Sequence, residues 1–188
     1  MQPLIQREFS GRTAYLAHST RSDGDLSPST VSADELVARR ERAVAHPWCV
    51  VRQVHSDRAV VVDRTDAENP RPIADALVTT APNLVLAVHS GDCVPVGFIA
   101  ETAGGAVGVA HAGWKGLEAG VLESTVRRLR GLNATGEITA AIGPHIRAAQ
   151  YEFGTADLER LAARFGPEIV STTAHGTPAL DLTAAIAI

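Results

Sequence analysis

The sequence predicts an α/β (α+β) domain in which mixed β-sheets are flanked by helices. Short β-branched runs such as Val50-Val51-Arg52-Gln53-Val54 and Ala59-Val60-Val61-Val62 carry the strand signal. Stretches of helical periodicity alternate with them, the clearest placing Leu117, Val121, Leu122, Val126 and Leu129 on one face. At 188 residues, with no internal repeat and no linker, the chain is expected to form one domain over residues 1–188.

The elements follow in order. Ser19 to Ser32 is rich in Ser, Thr, Asp and Gly and reads as loop. Asp34 to Val44 reads as helix, with Ser32 as its cap and Glu35 completing a capping box. The runs 50–54 and 59–62, separated by a polar gap, are expected to form strand–turn–strand. Asn69-Pro70-Arg71-Pro72 marks a loop, Ala76 to Thr79 an apolar run, and Ala81-Pro82-Asn83 a turn. Leu84 to Val88 and Val94 to Ile99 are continuously apolar, which predicts strands covered on both faces. Ala106 to Ala110 is a further strand, delivering His111 at its carboxyl end. A helix is expected over 115–132, ended by Gly131, then a strand over 138–142 that breaks at Gly143-Pro144. Weaker helices are expected over 155–165 and 179–188.

Composition narrows the function. Hydrophobic residues make up 45% and charged residues 20% of the chain, as in an ordinary globular protein. With aromatics at only 4%, Val, Ala, Leu and Ile must do most of the packing. A net charge of −4 offers no broad basic field, so nucleic acid is not an expected partner. Every apolar stretch is interrupted before membrane-spanning length, and the N-terminus lacks the pattern of a signal peptide. Cys49 and Cys93 belong to no spaced array, so no disulfide framework is expected, and a reducing, cytoplasmic location follows. The sequence is silent on oligomeric state.

The chemistry concentrates in Val109-Ala110-His111-Ala112-Gly113-Trp114-Lys115-Gly116 and Ser90-Gly91-Asp92-Cys93-Val94-Pro95. In each, an apolar segment stops at a metal-binding or nucleophilic side chain followed by small residues. With His55 of Gln53-Val54-His55 they give a candidate group of two His and one Cys. Such a set suits zinc or a similar borderline cation and leaves one position open for water or substrate. A Cys–His nucleophile pair without metal is the competing reading. Lys115, at the start of a helix, is a candidate anion binder, as is Arg21 in its polar loop. His145, in a tight turn, is placed to face the same cleft. Trp114 either stacks on a planar ring or plugs the core beneath His111.

These runs also resemble a known family. Gly108-Val109-Ala110-His111-Ala112-Gly113-Trp114-Lys115-Gly116 is similar to the hallmark of the YfiH or laccase-domain family, also described as polyphenol oxidase or purine nucleoside phosphorylase. Gln53-Val54-His55, Ala74-Asp75-Ala76-Leu77-Val78-Thr79 and Asp92-Cys93-Val94-Pro95-Val96 resemble further motifs of that family in their proper order. So do Ser19-Thr20-Arg21, Ala141-Ile142-Gly143-Pro144 and Tyr151-Glu152-Phe153-Gly154. The resemblance implies the family's own α/β fold and a zinc held by His55, Cys93 and His111. It implies phosphorolysis of purine nucleosides (adenosine, inosine, methylthioadenosine) with adenosine deamination alongside. In that scheme Asp92 is catalytic with the three ligands, while Arg21, Gln53, Lys115 and His145 contact nucleoside or phosphate. The older family label implies a copper-dependent oxidation of phenols instead. A Cys–His hydrolase editing cell-wall precursors and a catalytically impaired zinc-binding domain are the remaining alternatives. Gly91 stands where relatives usually carry Ala, and Lys115 where they carry Arg, which keeps the charge but loses the bidentate fork. His145 replaces a Cys or small residue, and the family's C-terminal segment is expected to be missing after Ile188.

Overall fold

The computed structural model describes residues 1–9 and 11–187. It opens on an antiparallel hairpin of β1 (Gln2–Phe9) and β2 (Arg12–His18), which the sequence reading did not anticipate. Most of its side chains are exposed, which hides the alternation by which a half-buried strand is recognised. Leu16 is its buried anchor. It fits because Gly97 lies beneath it: a Cβ there would stand 2.8 Å from Leu16 Cδ2.

α1 (Ala33–Ala43) forms within one residue of its expected bounds, but Ser32 makes no side-chain cap, so the expected capping box is absent. β4 (Ala59–Val61) forms within the expected run 59–62, but β3 (Trp48–Val50) shares only Val50 with the run expected over 50–54, and the two strands do not pair, which corrects the expected strand–turn–strand. β4 runs parallel to β5 (Ala76–Thr79), and β3 runs parallel to β6 (Val85–Ala87). The reason lies between them. The backbone N–H groups of Val54, His55 and Ser56 point at the carboxylate of Asp75 and are not available to a hairpin.

The central sheet has the order β4-β5-β8-β7-β9, with β7 (Val94–Ala100), β8 (Ala106–Ala112) and β9 (Ile138–Ile142). All its pairs beyond β4–β5 are antiparallel. The expected two-sided burial does not hold. β6 is half-buried throughout, and β7 alternates buried Val94, Val96 and Phe98 with half-buried Pro95 and Gly97. That is the pattern of an antiparallel strand with one face fully covered. β8 continues past Ala110, so His111 lies within the strand, opposite Pro95.

The single helix expected over 115–132 is two helices, α2 (Trp114–Ala119) and α3 (Val121–Gly131). Gly120 separates them in the left-handed conformation, φ 95°, which ends the first helix and starts the second at low cost because glycine has no Cβ. Val121, Thr125 and Leu129 of α3 pack onto the sheet, and α4 (Thr155–Phe165) adds Leu158 and Leu161 to the same core. β10 (Val170–Thr172) and β11 (Pro178–Leu180) pair antiparallel, and α5 (Leu182–Ala187) follows. The helix expected over 179–188 therefore begins only at Leu182, because Ala179 and Leu180 are held in β11; its last residue, Ile188, lies outside the described residues. A second, smaller core of Cys49, Val51, Val62, Ala74 and Leu77 supports the segment that carries Asp75. No helix among the described residues is long and apolar enough to cross a membrane.

Candidate metal centre

Three segments bring His55, Cys93 and His111 together. β8 presents His111, which is buried, and the loop entering β7 presents Cys93, which is partly exposed. His55 comes from the irregular stretch between β3 and β4. Their ligand atoms all lie within 4.8 Å of one another. Cys93 Sγ is 3.8 Å from His55 Nε2, and the two imidazoles meet edge to face with centroids 4.8 Å apart.

Asp75 organises this group from behind and is wholly buried. One carboxylate oxygen accepts the His55 N–H at 3.0 Å and the His111 Nδ1–H at 3.0 Å. The other accepts the Ser56 N–H at 2.7 Å and the Ser56 hydroxyl at 2.8 Å. The Val54 N–H lies 3.2 Å from both. Successive backbone donors converging on an anion form a nest. His55 closes it by adopting φ 60°, a left-handed conformation that costs a non-glycine residue about 1–2 kcal/mol. Charge-assisted hydrogen bonds to a buried carboxylate offset that cost. The same carboxylate fixes His111 with Nδ1 protonated and leaves Nε2 free for a cation, the carboxylate–histidine arrangement of metal sites.

The electrostatics fit that assignment. Burial opposes ionisation of Asp75 most strongly, but the bonds from His111, Ser56 and Val54 together outweigh it and hold the carboxyl below its usual range. Burial lowers the His111 imidazole, against the pull of Asp75, so the ring is neutral and able to ligate at neutral pH. Burial pushes the Cys93 thiol up, and the carboxylates of Asp92 and Asp75 push it further. Cys93 is therefore a thiol at neutral pH and must release a proton to bind a cation. Metal affinity is expected to rise about tenfold per pH unit across neutrality, one proton being released per ion bound. Competition with a chromophoric chelator at several pH values checks this, and a flat profile would remove Cys93 from the ligand set.

Gly113 completes the pocket. A Cβ there would lie 2.7 Å from His55 Cδ2 and 2.8 Å from Cys93 Sγ, so these two side chains can approach as they do only because this residue has no side chain. Its φ of −76° suits any residue, so the penalty of substitution falls on the ligands and not on the backbone. Gly113→Ala is expected to weaken metal binding by about tenfold or more, the scale on which disturbed ligand geometry acts, with little change in the melting temperature of metal-free protein.

The other residues named from the sequence are placed as follows. Both polar ends of the Gln53 side chain bind the main chain of His89, at 2.7 and 2.8 Å. Asp92 is exposed, and its carbonyl accepts the Ile146 N–H at 3.0 Å. Lys115 is exposed on the first turn of α2, its Nζ 5.2 Å from the centre of the Trp114 ring. Arg21 is exposed and opens a short 3-10 turn, Arg21–Asp23. His145 has Nδ1 on the Gly143 carbonyl at 2.8 Å and Nε2 on the Thr183 hydroxyl at 2.9 Å. Trp114 packs edge-on against Phe153, which in turn meets Tyr151. Burial raises the Tyr151 phenol, and the charges of Cys93 and Asp92 add to the effect. Sequence reasoning gave no role to Asp75. Beyond its place in a family-like motif, its signal was a carboxylate set among Ala74, Ala76, Leu77 and Val78, where a solvated charge has no place.

Comparison with known proteins adds to this geometry. Residues 14–188 match the family described as multi-copper polyphenol oxidoreductase laccase. The chain is 36% identical over 161 residues to purine nucleoside phosphorylase SCO2081 of Streptomyces coelicolor, an alignment covering 85% of this chain and 66% of that protein. It is 40% identical over 157 residues to purine nucleoside phosphorylase ORF3 of Streptomyces griseus, covering 79% of this chain and 63% of the relative. Among solved structures, YfiH of Bacillus licheniformis superposes with a TM-score of 0.69 at 27% identity, covering 81% of this chain and 63% of YfiH. The chain thus spans just under two thirds of the length of each of these proteins.

Proposed function

We propose that this chain, which belongs to the multi-copper polyphenol oxidoreductase laccase family, is a zinc-dependent purine nucleoside phosphorylase acting on adenosine, inosine and methylthioadenosine, with adenosine deamination alongside. The observation that carries the reading is the convergence of His55, Cys93 and His111 on one point, backed by Asp75, in a chain whose relatives are named purine nucleoside phosphorylases. Two imidazoles and a thiolate suit zinc and leave a fourth position for water or substrate. When bound, zinc supplies a Lewis acid and lowers the pKa of a coordinated water.

The chain's own residues do the rest. Asp75 keeps His111 in the ligating tautomer and His55 in its strained backbone, while Gly113 leaves the approach open. Lys115 and Arg21 are the cations assigned to phosphate, whose oxygen attacks the ribose C1′ as the bond from C1′ to the purine nitrogen breaks. Asp92, exposed beside Cys93, is assigned the proton delivered to the departing base. His145 suits that task less well, because both its ring nitrogens are engaged. Gln53 is assigned a positioning part in the nucleoside site through its grip on His89. Two free thiols fit a reducing, cytoplasmic setting.

Copper-dependent phenol oxidation, favoured by the family's description, is the second reading. Two His and one Cys also suit a copper site, but such sites add a weak axial thioether. The one methionine, Met1, begins the chain and its amino group binds Asp23. A metal-free Cys93 nucleophile is disfavoured by the raised thiol pKa, because the thiolate is the reactive form. Incubating metal-quantified protein with adenosine or inosine, with and without phosphate, tests the reading. Phosphate-dependent release of adenine or hypoxanthine is expected. Phenol oxidation that requires added copper, or zinc binding with no nucleoside turnover, would replace it by the oxidase or by a non-catalytic zinc domain.

A further inference from the structure

The loop leaving β9 holds a chain of side-chain hydrogen bonds with one fixed direction. His145 Nδ1 lies 2.8 Å from the Gly143 carbonyl, which can only accept, so Nδ1 carries the proton and, in the neutral ring, Nε2 accepts. The Thr183 hydroxyl of α5, 2.9 Å away, therefore donates its single proton to Nε2. Its oxygen is left to accept, and Arg147 Nη1 donates to it at 2.8 Å. Apart from a 3.5 Å approach of Nη1 to His145 Nε2, the rest of the Arg147 fork has no partner among the described residues, and the residue is exposed.

Two main-chain bonds place this chain beside the metal-binding group. The Gly143 N–H donates to the Pro95 carbonyl at 2.8 Å and the Ile146 N–H to the Asp92 carbonyl at 3.0 Å. They continue the β7–β9 pairing beyond Val96 and Ile142 and bracket Cys93. On the other side, Leu182 and Ala185 of α5 share an apolar pocket with Trp114 and Leu117 of α2, the helix that begins directly after Gly113. Arg147 thus stands on the rim between the Cys93 loop and the helix that follows His111. The carboxylates of the adjoining segments leave it unpaired. Asp181 accepts the N–H groups of Thr183 and Ala184 at 2.8 and 3.0 Å, and neither it nor Asp92 forms an ion pair with Arg147. Holding a long exposed side chain costs rotamer entropy, and a fork already held loses less when it meets an oxyanion.

We propose that Arg147 is a phosphate-binding residue of the candidate site, alongside Lys115 and Arg21, and that Thr183 and His145 are the positioning residues that aim it. The identity of the anion rests on the phosphorolysis reading. A guanidinium meets two phosphate oxygens at once, which the single ammonium of Lys115 does not do. The same chain gives His145 a use that fits its two engaged nitrogens, which proton delivery does not.

Titration of the full chain, loaded with zinc, with inorganic phosphate in a calorimeter provides the test, followed by inosine cleavage at varied phosphate. Arg147→Gln is expected to weaken phosphate binding about tenfold, the scale of one charge-assisted hydrogen bond, and to raise KM for phosphate by the same factor. KM for inosine, zinc content and melting temperature are expected to hold. Thr183→Val is expected to weaken phosphate binding about threefold, and Thr183→Ser, which keeps the hydroxyl, to restore it. No phosphate binding to the unaltered chain, or undiminished affinity in Arg147→Gln, overturns the proposal, even where inosine is cleaved. Loss of zinc or a lowered melting temperature in Arg147→Gln also overturns it, because the hydrogen-bonded chain is then a structural tie alone. Phosphate binding that depends on Arg147 in a chain that leaves inosine intact upholds the assignment of Arg147 and removes the phosphorolysis reading.

Discussion

Asp75→Ala is expected to abolish zinc binding and to lower the melting temperature by about 10 °C. The size follows from what the carboxylate holds. It accepts three backbone N–H groups, one hydroxyl and the His111 ring, all at a fully buried position. Removing it leaves those donors facing a cavity, and loss of such a buried network costs about 3–5 kcal/mol, at about 2–4 °C per kcal/mol for a chain of this size. Metal binding is expected to go with it, because His55 loses the contacts that stabilise its φ of 60° and His111 loses the partner that fixes its tautomer. Asp75→Asn serves as the milder control. It keeps the volume, but its amide NH2 faces backbone donors, so a fall of about tenfold or more in metal affinity is expected even if the fold survives. Metal content by mass spectrometry and melting curves check both variants. Normal zinc stoichiometry in Asp75→Asn would show that the three ligands do not need this support.

Cys93→Ser should separate metal binding from folding. Sγ contributes little packing, because Cys93 is only half-buried at the mouth of the site. The melting temperature of metal-free protein should therefore move little, within the range of about 0.5 kcal/mol common for surface changes. A serine hydroxyl does not ionise at neutral pH as a ligating thiol does, and zinc affinity should fall by about a hundredfold or more. Turnover is expected to fall with it. Parallel loss of zinc and activity at unchanged stability is the predicted signature, and full activity in zinc-free Cys93→Ser would contradict the assignment.

What the sequence revealed and what it hid both have physical causes. β9 and α4 were legible because a short apolar run marks the strand and a helical period the helix, and nothing long-range disturbs either. The break between α2 and α3 was not, because Gly120 sits in an otherwise continuous helical period and only its left-handed conformation reveals the stop. The parallel pairing of β3 and β4 with separate strands was hidden for a different reason. It depends on Asp75, residues away in sequence, drawing in the backbone that a local reading assigns to a turn. The metal-binding group could be named because ligand-type side chains stand beside apolar strands and small residues. Asp75 could not, because a carboxylate acting through backbone amides leaves no spacing code. Gly113 likewise shows its purpose only when the ligands it must avoid are in place.

Titration of metal-free protein with zinc, while inosine phosphorolysis is measured, tests the central claim most directly. Activity is predicted to rise in proportion to added zinc, to level off at one equivalent per chain, and to require phosphate throughout. Turnover that is already complete without zinc, or a protein that binds one zinc and releases no hypoxanthine in the presence of phosphate, would contradict the account.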